Sequence, residues 1–236
     1  REWWTSLPIP CSEKLRARQD LAVVDHLTAL ITEVEAELGQ LSQSDQWAGP
    51  VPFLIQLPGI GLLSAMTILS AIGDITRFAT AKKLVGYSGL GASVHVSGQT
   101  HYTGGITKQG RRELRSVMVE SAWIAVRTHP HWRAKFEHLE KRTGKQKAIV
   151  AIARKLLVVV WNVLSHLAVD RQADVERVAR SLMTWGARHG LANRLGLSRA
   201  QFVRQGLDRL GLGHDLVAFH YCGRSYSLPP PGRTDP

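Results

Sequence analysis

Residues 86–110 constrain this chain most, because they cannot continue the helical patterns on either side. Gly86, Gly89 and Gly91 break the preceding pattern, Gly104 and Gly105 follow as a pair, and Gly110 opens the next pattern. Each glycine in a helix interior costs about 1 kcal/mol relative to alanine. Between them, Val94, His95 and Val96 suit one arm of a small β-hairpin and residues 100–103 the other. Residues 97–99 then fall at or near the turn, which exposes Ser97 rather than burying it. Lys108, Arg111, Arg112 and Arg115 follow at a basic helix start. A hydroxyl on a loop facing several cations is what phosphoryl transfer from a nucleic-acid backbone requires.

The flanking patterns are helical. Val24, Leu27, Ile31, Val34, Leu38 and Leu41 recur by threes and fours, the a/d spacing of a coiled coil. The same spacing fits a surface helix packed on its own domain. Ser12 with Glu13 marks the start of that helix, and residues 43–52, with Gly49, Pro50 and Pro52, read as a linker. Pro58-Gly59-Ile60-Gly61 then sits between two apolar segments in the manner of a helix-hairpin-helix. Its glycines permit a tight turn, and the amides at the next helix start can hold a phosphate. Read plainly, it is an interhelical turn that touches nothing. Lys82 and Lys83 lie on the polar side of a short helix over 80–87. Leu114, Val117, Met118, Ser121, Ala122 and Ala125 form the inward stripe of a further helix. His129 and His131 read as surface loop residues. Residues 136–147 are strongly basic around Gly144, and 148–167 form an apolar core helix.

Beyond residue 170, residues 175–183 are helical. Residues 191–207 have the spacing of a helix-turn-helix through Ala192, Gly196, Leu197 and Phe202, with Arg199 and Arg204 placed to enter a major groove. Two packed helices satisfy the same spacing. Residues 226–236, with Pro229, Pro230 and Pro231, read as disordered.

Charge points to a partner class. Lys and Arg number 30 against 19 Asp and Glu, a net +11, which favours nucleic acid first and an anionic membrane surface second. Cys11 and Cys222 are the two cysteines, far apart, which is neither a disulfide framework nor a zinc site. The apolar run 156–167 is too short to span a bilayer and is interrupted by Asn162 and Ser165. The expectation is a soluble, cytoplasmic, nucleoid-associated bacterial protein with no membrane partner.

Three runs in order, LPGIGLLSAMTILSAIGDITRF, LVGYSGLGASVHVSG and GGITKQGRRELRSVMVESAW, resemble the C-terminal domain of the insertion-sequence 110/116/902 transposase family over roughly 53–167. That family includes the Piv invertase and the bridge-RNA-guided serine recombinases. The resemblance implies a mainly α fold with a coiled-coil-like helix within 1–48 and a serine domain over 53–168; the basic helical tail over 170–236 falls outside it. It implies a DNA transposase with Ser97 as nucleophile, Ser93 as the fallback, and Lys108 and Arg115 as catalytic cations. Gly59, Gly61, Lys82, Lys83, Arg111 and Arg112 are the candidate DNA contacts. Arg111 replaces the small Asn or Asp usual in the family, which forfeits a natural helix N-cap, about 1 kcal/mol.

Family members also carry an N-terminal nuclease-like domain whose acids bind magnesium. Nothing before Phe53 matches it, and Glu33, Glu35 and Glu37 read as the solvated face of the first helix. No cofactor is therefore expected in this chain, and an upstream piece is. The implied partners are DNA, a structured guide RNA and a second copy joined through helix 12–43. The rival readings are a non-catalytic DNA-binding protein and an inactive remnant.

Overall fold

A computed structural model describes residues 3–97 and 100–232. The fold is mainly helical, with two small two-stranded antiparallel sheets. A 31-residue helix α1 (Cys11–Leu41) leads in, followed by α2 (Asp45–Ala48), α3 (Pro50–Ile55) and α4 (Leu62–Ile72). Then come α5 (Ala81–Tyr87), the hairpin β1 (Ala92–Ser97) and β2 (Thr100–Ile106), and α6 (Arg112–Thr128). The helices α7 (Pro130–Thr143) and α8 (Lys145–His166) complete the central body. The remainder is α9 (Val175–Arg188), α10 (Leu191–Arg194), α11 (Arg199–Leu210) and a second hairpin, β3 (Ala218–Tyr221) with β4 (Arg224–Ser227).

The core is built around α8. Its length and composition would suit a membrane span, but half of that apolar window is buried inside the protein. Ile149, Ile152, Leu156 and Val160 are sealed against α5, α6 and α7, so α8 is the core helix. The stripe on α6 is as its spacing predicts: Leu114, Met118, Ser121, Ala122 and Ala125 are buried, with Val117 packed beside them.

Several expectations change. Residues 43–52 are not a linker. Pro50 begins α3, where its missing N–H costs nothing, and Val51 and Leu54 are fully buried. Ser42 is also buried, accepting from Trp185 Nε1 at 3.3 Å. His129 is buried, with its Nε2 3.2 Å from the carbonyl of Gln172, and His131 lies in the first turn of α7. Glu35 is no solvated zipper residue, because it holds Arg188 at 2.7 Å and thereby joins α1 to α9.

The tail shares the same buried apolar cluster, through Val178, Leu182, Phe202, Val203, Leu207 and Phe219. Arg204 is not presented to a groove. It is 4% exposed and donates to the carbonyls of Gly213, Leu216 and Pro229 at 2.6–2.8 Å. Those bonds explain why residues 226–232 are ordered rather than disordered as their prolines suggest. Tyr226 lies in β4 and stacks on Phe219, Leu228 is buried, and Gly232 N–H donates to Asp208 at 3.0 Å. Residues 233–236 lie outside the described residues.

Candidate functional site

The root of the first hairpin is two loops locked together, 87–91 and 107–111. The amides of Thr107, Lys108 and Arg111 donate to the carbonyls of Gly91, Gly89 and Tyr87 at 2.9, 3.1 and 3.0 Å. The fit is so close that Gly110 admits no side chain: at φ 134 its Cβ would stand 2.2 Å from the Tyr87 carbonyl oxygen. Lys108 itself takes a left-handed φ of 56, a conformation non-glycine residues occupy at a cost. Arg115, one turn into α6, reaches back and donates through Nη1 to the carbonyls of Ser88 and Lys108, at 3.1 and 3.2 Å. Arg115 therefore braces the root.

Two residues that motif reading missed complete this corner. Tyr87 accepts a hydrogen bond from Arg111 Nε at 2.9 Å and donates its own to the Ala71 carbonyl at 3.2 Å. The Arg77 guanidinium lies over the same ring, 5.2 Å from its centroid, and 5.1 Å from that of Phe78. Two arginines thus converge on one tyrosine. The signal was available in the pattern Arg77-Phe78 with Tyr87, a cation beside aromatics at the ends of one short helix. Lys82, Lys83, Arg111 and Arg112 are all exposed, and among the described residues none of them forms an ion pair. Arg111 and Arg112 stand at this root, and Lys82 and Lys83 lie on the helix that leads into it.

Ser97 stands apart from it. In the antiparallel register Ala92 faces Ile106 at the root and Ser97 faces Thr100 at the far end. Five residues of strand separate the two ends, about 17 Å. Ser97 is exposed, and the adjoining Gly98 and Gln99 lie outside the described residues. Along the strands, Ser97 lies at the end opposite the root that holds Lys108 and Arg115. Ser93 is the serine near the root. Its Oγ donates to the Gly105 carbonyl at 3.1 Å, beside a register shift between Ala92 and Val94.

The Pro58–Gly61 turn divides its two glycines between two tasks. Gly59, at φ 83, lies so near α6 that an added Cβ would come 2.1 Å from the Ser121 carbonyl oxygen. It is there for helix packing. Gly61 is exposed at the extended N-cap of α4 and has open space around it. With Ser64 and Arg188 it lines a groove of about 340 Å³ between α1, α4 and α9. Of the pair, Gly61 alone leaves backbone amides at a helix start open to a phosphate. Among the described residues no three His, Cys, Asp or Glu side chains converge to hold a metal.

Comparison with known proteins finds relatives of this chain among transposases. Residues 51–137 match the family model for transposases of the IS116/IS110/IS902 family. A pilin gene-inverting protein of Moraxella bovis is 31% identical over 145 residues, covering 60% of this chain and 45% of its own length. The transposase for an insertion sequence element of Coxiella burnetii is 28% identical over 140 residues, 58% of this chain and 38% of that protein. An insertion-element protein of 43.6 kDa from Streptomyces coelicolor is 28% identical over 151 residues, 60% and 36% respectively. The chain thus spans less than half the length of these curated relatives.

Proposed function

We propose that this chain, similar over residues 51–137 to transposases of the IS116/IS110/IS902 family, grips DNA with the hairpin root and carries the serine that cleaves and exchanges strands. One observation carries the reading: an exposed serine, Ser97, at the end of a hairpin whose rigid root is ringed by unpaired cations. In the reaction, Ser97 Oγ attacks a backbone phosphorus. A serine–phosphate ester forms, the bond to the leaving sugar oxygen breaks, and that oxygen takes up a proton while the serine proton passes to solvent. The hydroxyl of another strand then displaces the serine, so the ester energy is conserved and no nucleotide triphosphate is needed.

The separation of about 17 Å supports a role for the root in holding DNA rather than in touching the reacting phosphorus. Along one strand that distance is about five base-pair rises of 3.4 Å. Arg115 is then a positioning residue. Lys82, Lys83, Arg111 and Arg112, joined by Arg77, bear on phosphates flanking the cleaved one, and Gly61 adds an amide contact. Lys108 extends the same cationic edge. Partners follow from the same reading: DNA, a guide RNA competing for the cationic surface, and a second copy along α1. On α1, Val24, Leu27, Ile31 and Val34 are 49–64% exposed in a/d spacing.

The same separation favours a second reading, a DNA-binding protein without chemistry of its own. Covalent capture decides between them. The full chain is incubated with a pool of nicked duplexes and denatured, and protein–DNA adducts are sought by gel shift and mass spectrometry. An adduct lost in Ser97→Ala and kept in Ser93→Ala supports serine chemistry. Salt-sensitive binding with no adduct in the unsubstituted chain leaves the binding reading.

A further inference from the structure

We propose that the groove between α7 and α8 is a second site for the backbone of duplex DNA, separate from the hairpin root; this rests on the DNA reading above. The basic run around Gly144 lies on these two helices. On α7, His131, Lys135, His138 and Arg142 recur at intervals of four, three and four, which puts them on one helical face. The row is about 16 Å long at 1.5 Å per residue. An adjoining face, about 100° round the helix, is anchored, because Trp132 and Phe136 are buried. Lys155 of α8 stands across a groove of about 440 Å³ from His131, Lys135 and His138.

No carboxylate lines this groove. The acid of α7 nearest the body, Glu140, instead lines a separate hollow on the α6 side with Glu120 and Lys145. Among the described residues Lys135, Arg142 and Lys155 form no ion pair. Lys135 rests over the Trp132 ring, 5.4 Å from its centroid, so part of its rotamer freedom is already given up. Along one strand of duplex DNA a row of about 16 Å spans about five phosphate charges, at one per about 3.4 Å of axis. An anionic membrane is the poorer fit. A helix lying in a lipid surface exposes large apolar side chains, and α7 carries none.

The test compares the full chain with Lys135→Gln/Arg142→Gln/Lys155→Gln and with Lys82→Gln/Lys83→Gln/Arg111→Gln/Arg112→Gln. Binding to a duplex of arbitrary sequence is measured by fluorescence anisotropy between about 50 and 200 mM salt. Lys135 and Lys155 of the groove and Arg142 at the end of the row are all exposed, so the variant keeps its melting temperature. The expected result is that the groove variant lowers the slope of log K against log salt by about 2–3, near 0.9 per lost phosphate contact. A folded groove variant with an unchanged slope, beside a root variant whose slope falls, overturns this inference and leaves the root reading standing. No binding by the unsubstituted chain removes both. Loss of binding to phosphatidylserine vesicles with unchanged DNA binding overturns the inference in favour of a lipid surface.

Discussion

Replacing Gly59 by alanine separates the two tasks of the Pro58–Gly61 turn. The added methyl meets the Ser121 carbonyl oxygen at 2.1 Å and Ala125 N at 3.0 Å, both backbone atoms of α6 that cannot swing aside. Alanine at φ 83 also enters the left-handed region, at about 1–2 kcal/mol. Relieving the overlap by moving α4 from α6 adds about 1–3 kcal/mol, the usual cost of overfilling a packed interior. The sum is about 2–5 kcal/mol, a large share of the stability of an ordinary domain. For a chain of this size that is a fall in melting temperature of about 4–20 °C. Gly61→Ala is the control: nothing stands within 4 Å of its added Cβ, so its melting temperature stays close to that of the unsubstituted chain. Calorimetry measures both, and anisotropy on a DNA duplex follows binding at a temperature where both variants are folded. A Gly59→Ala protein with unchanged melting temperature and lost DNA binding refutes the packing argument. It would mean that Gly59 faces a ligand and not α6.

Arg204→Ala removes three charge-assisted bonds from a buried site and is expected to cost about 3–5 kcal/mol. It should also open residues 213–232 to limited proteolysis, with Arg204→Lys unable to restore the fan of three carbonyl contacts. Arg115→Ala should raise amide exchange at Lys108 and Arg111 while leaving exchange in α8 unchanged, because the bonds it removes lie in the root alone. Burial lowers the pKa of His189 from the usual 6.5, with Arg188 adding to the effect and the Glu35 contacts opposing it. Below 6.5 the unfolded chain therefore binds a proton that the folded chain resists, so this contribution is complete above that pH and fades as pH falls through it. Urea unfolding at pH about 7.5 and about 5.5 should show a larger loss for the natural chain than for His189→Asn. Leu27→Glu with Ile31→Glu should reduce self-association in sedimentation without lowering helix content, since both side chains are exposed.

Much of the fold was legible because helical periodicity reports which face is buried. The stripe on α6 and the apolar run of α8 were read correctly, since one face of each helix fills the core. The hairpin was legible from its alternation and its bounding glycines. The misreadings share one cause: composition does not reveal a tertiary partner. Pro50 and Pro52 look like linker residues until α3 is seen packed on α8. The prolines near the C-terminus look disordered until Arg204, an arginine read as a groove reader, is seen holding the carbonyl of Pro229. The exposure of Lys82, Lys83, Arg111 and Arg112 was legible in the sequence, and their distances from Ser97 were not. Nothing in the spacing of Ser97 and Arg115 tells whether the intervening strands fold back or stand out.

That they stand out bears on how any chemistry must work. A lone two-stranded hairpin is marginally stable in water, and this one has little packing beyond its own partner strand. Its root is the opposite: Gly89 and Gly110 permit backbone contact that no side chain would, and Arg115 ties both loops from α6. On the serine reading proposed above, a stiff base would fix the direction of the serine and leave its final position to whatever the arm meets. DNA held at the root and at α7–α8 would set the place of the phosphodiester, and the arm would close on it. Stiffening the arm then distinguishes positioning from grip. Gly105 has open space around its Cβ position, so Gly105→Val, a β-branched residue suited to a strand, should leave DNA affinity unchanged. If the compliant arm must bend to reach its phosphate, adduct formation by Ser97 should slow. An equal loss of affinity and adduct would instead mean that the hairpin itself holds the DNA.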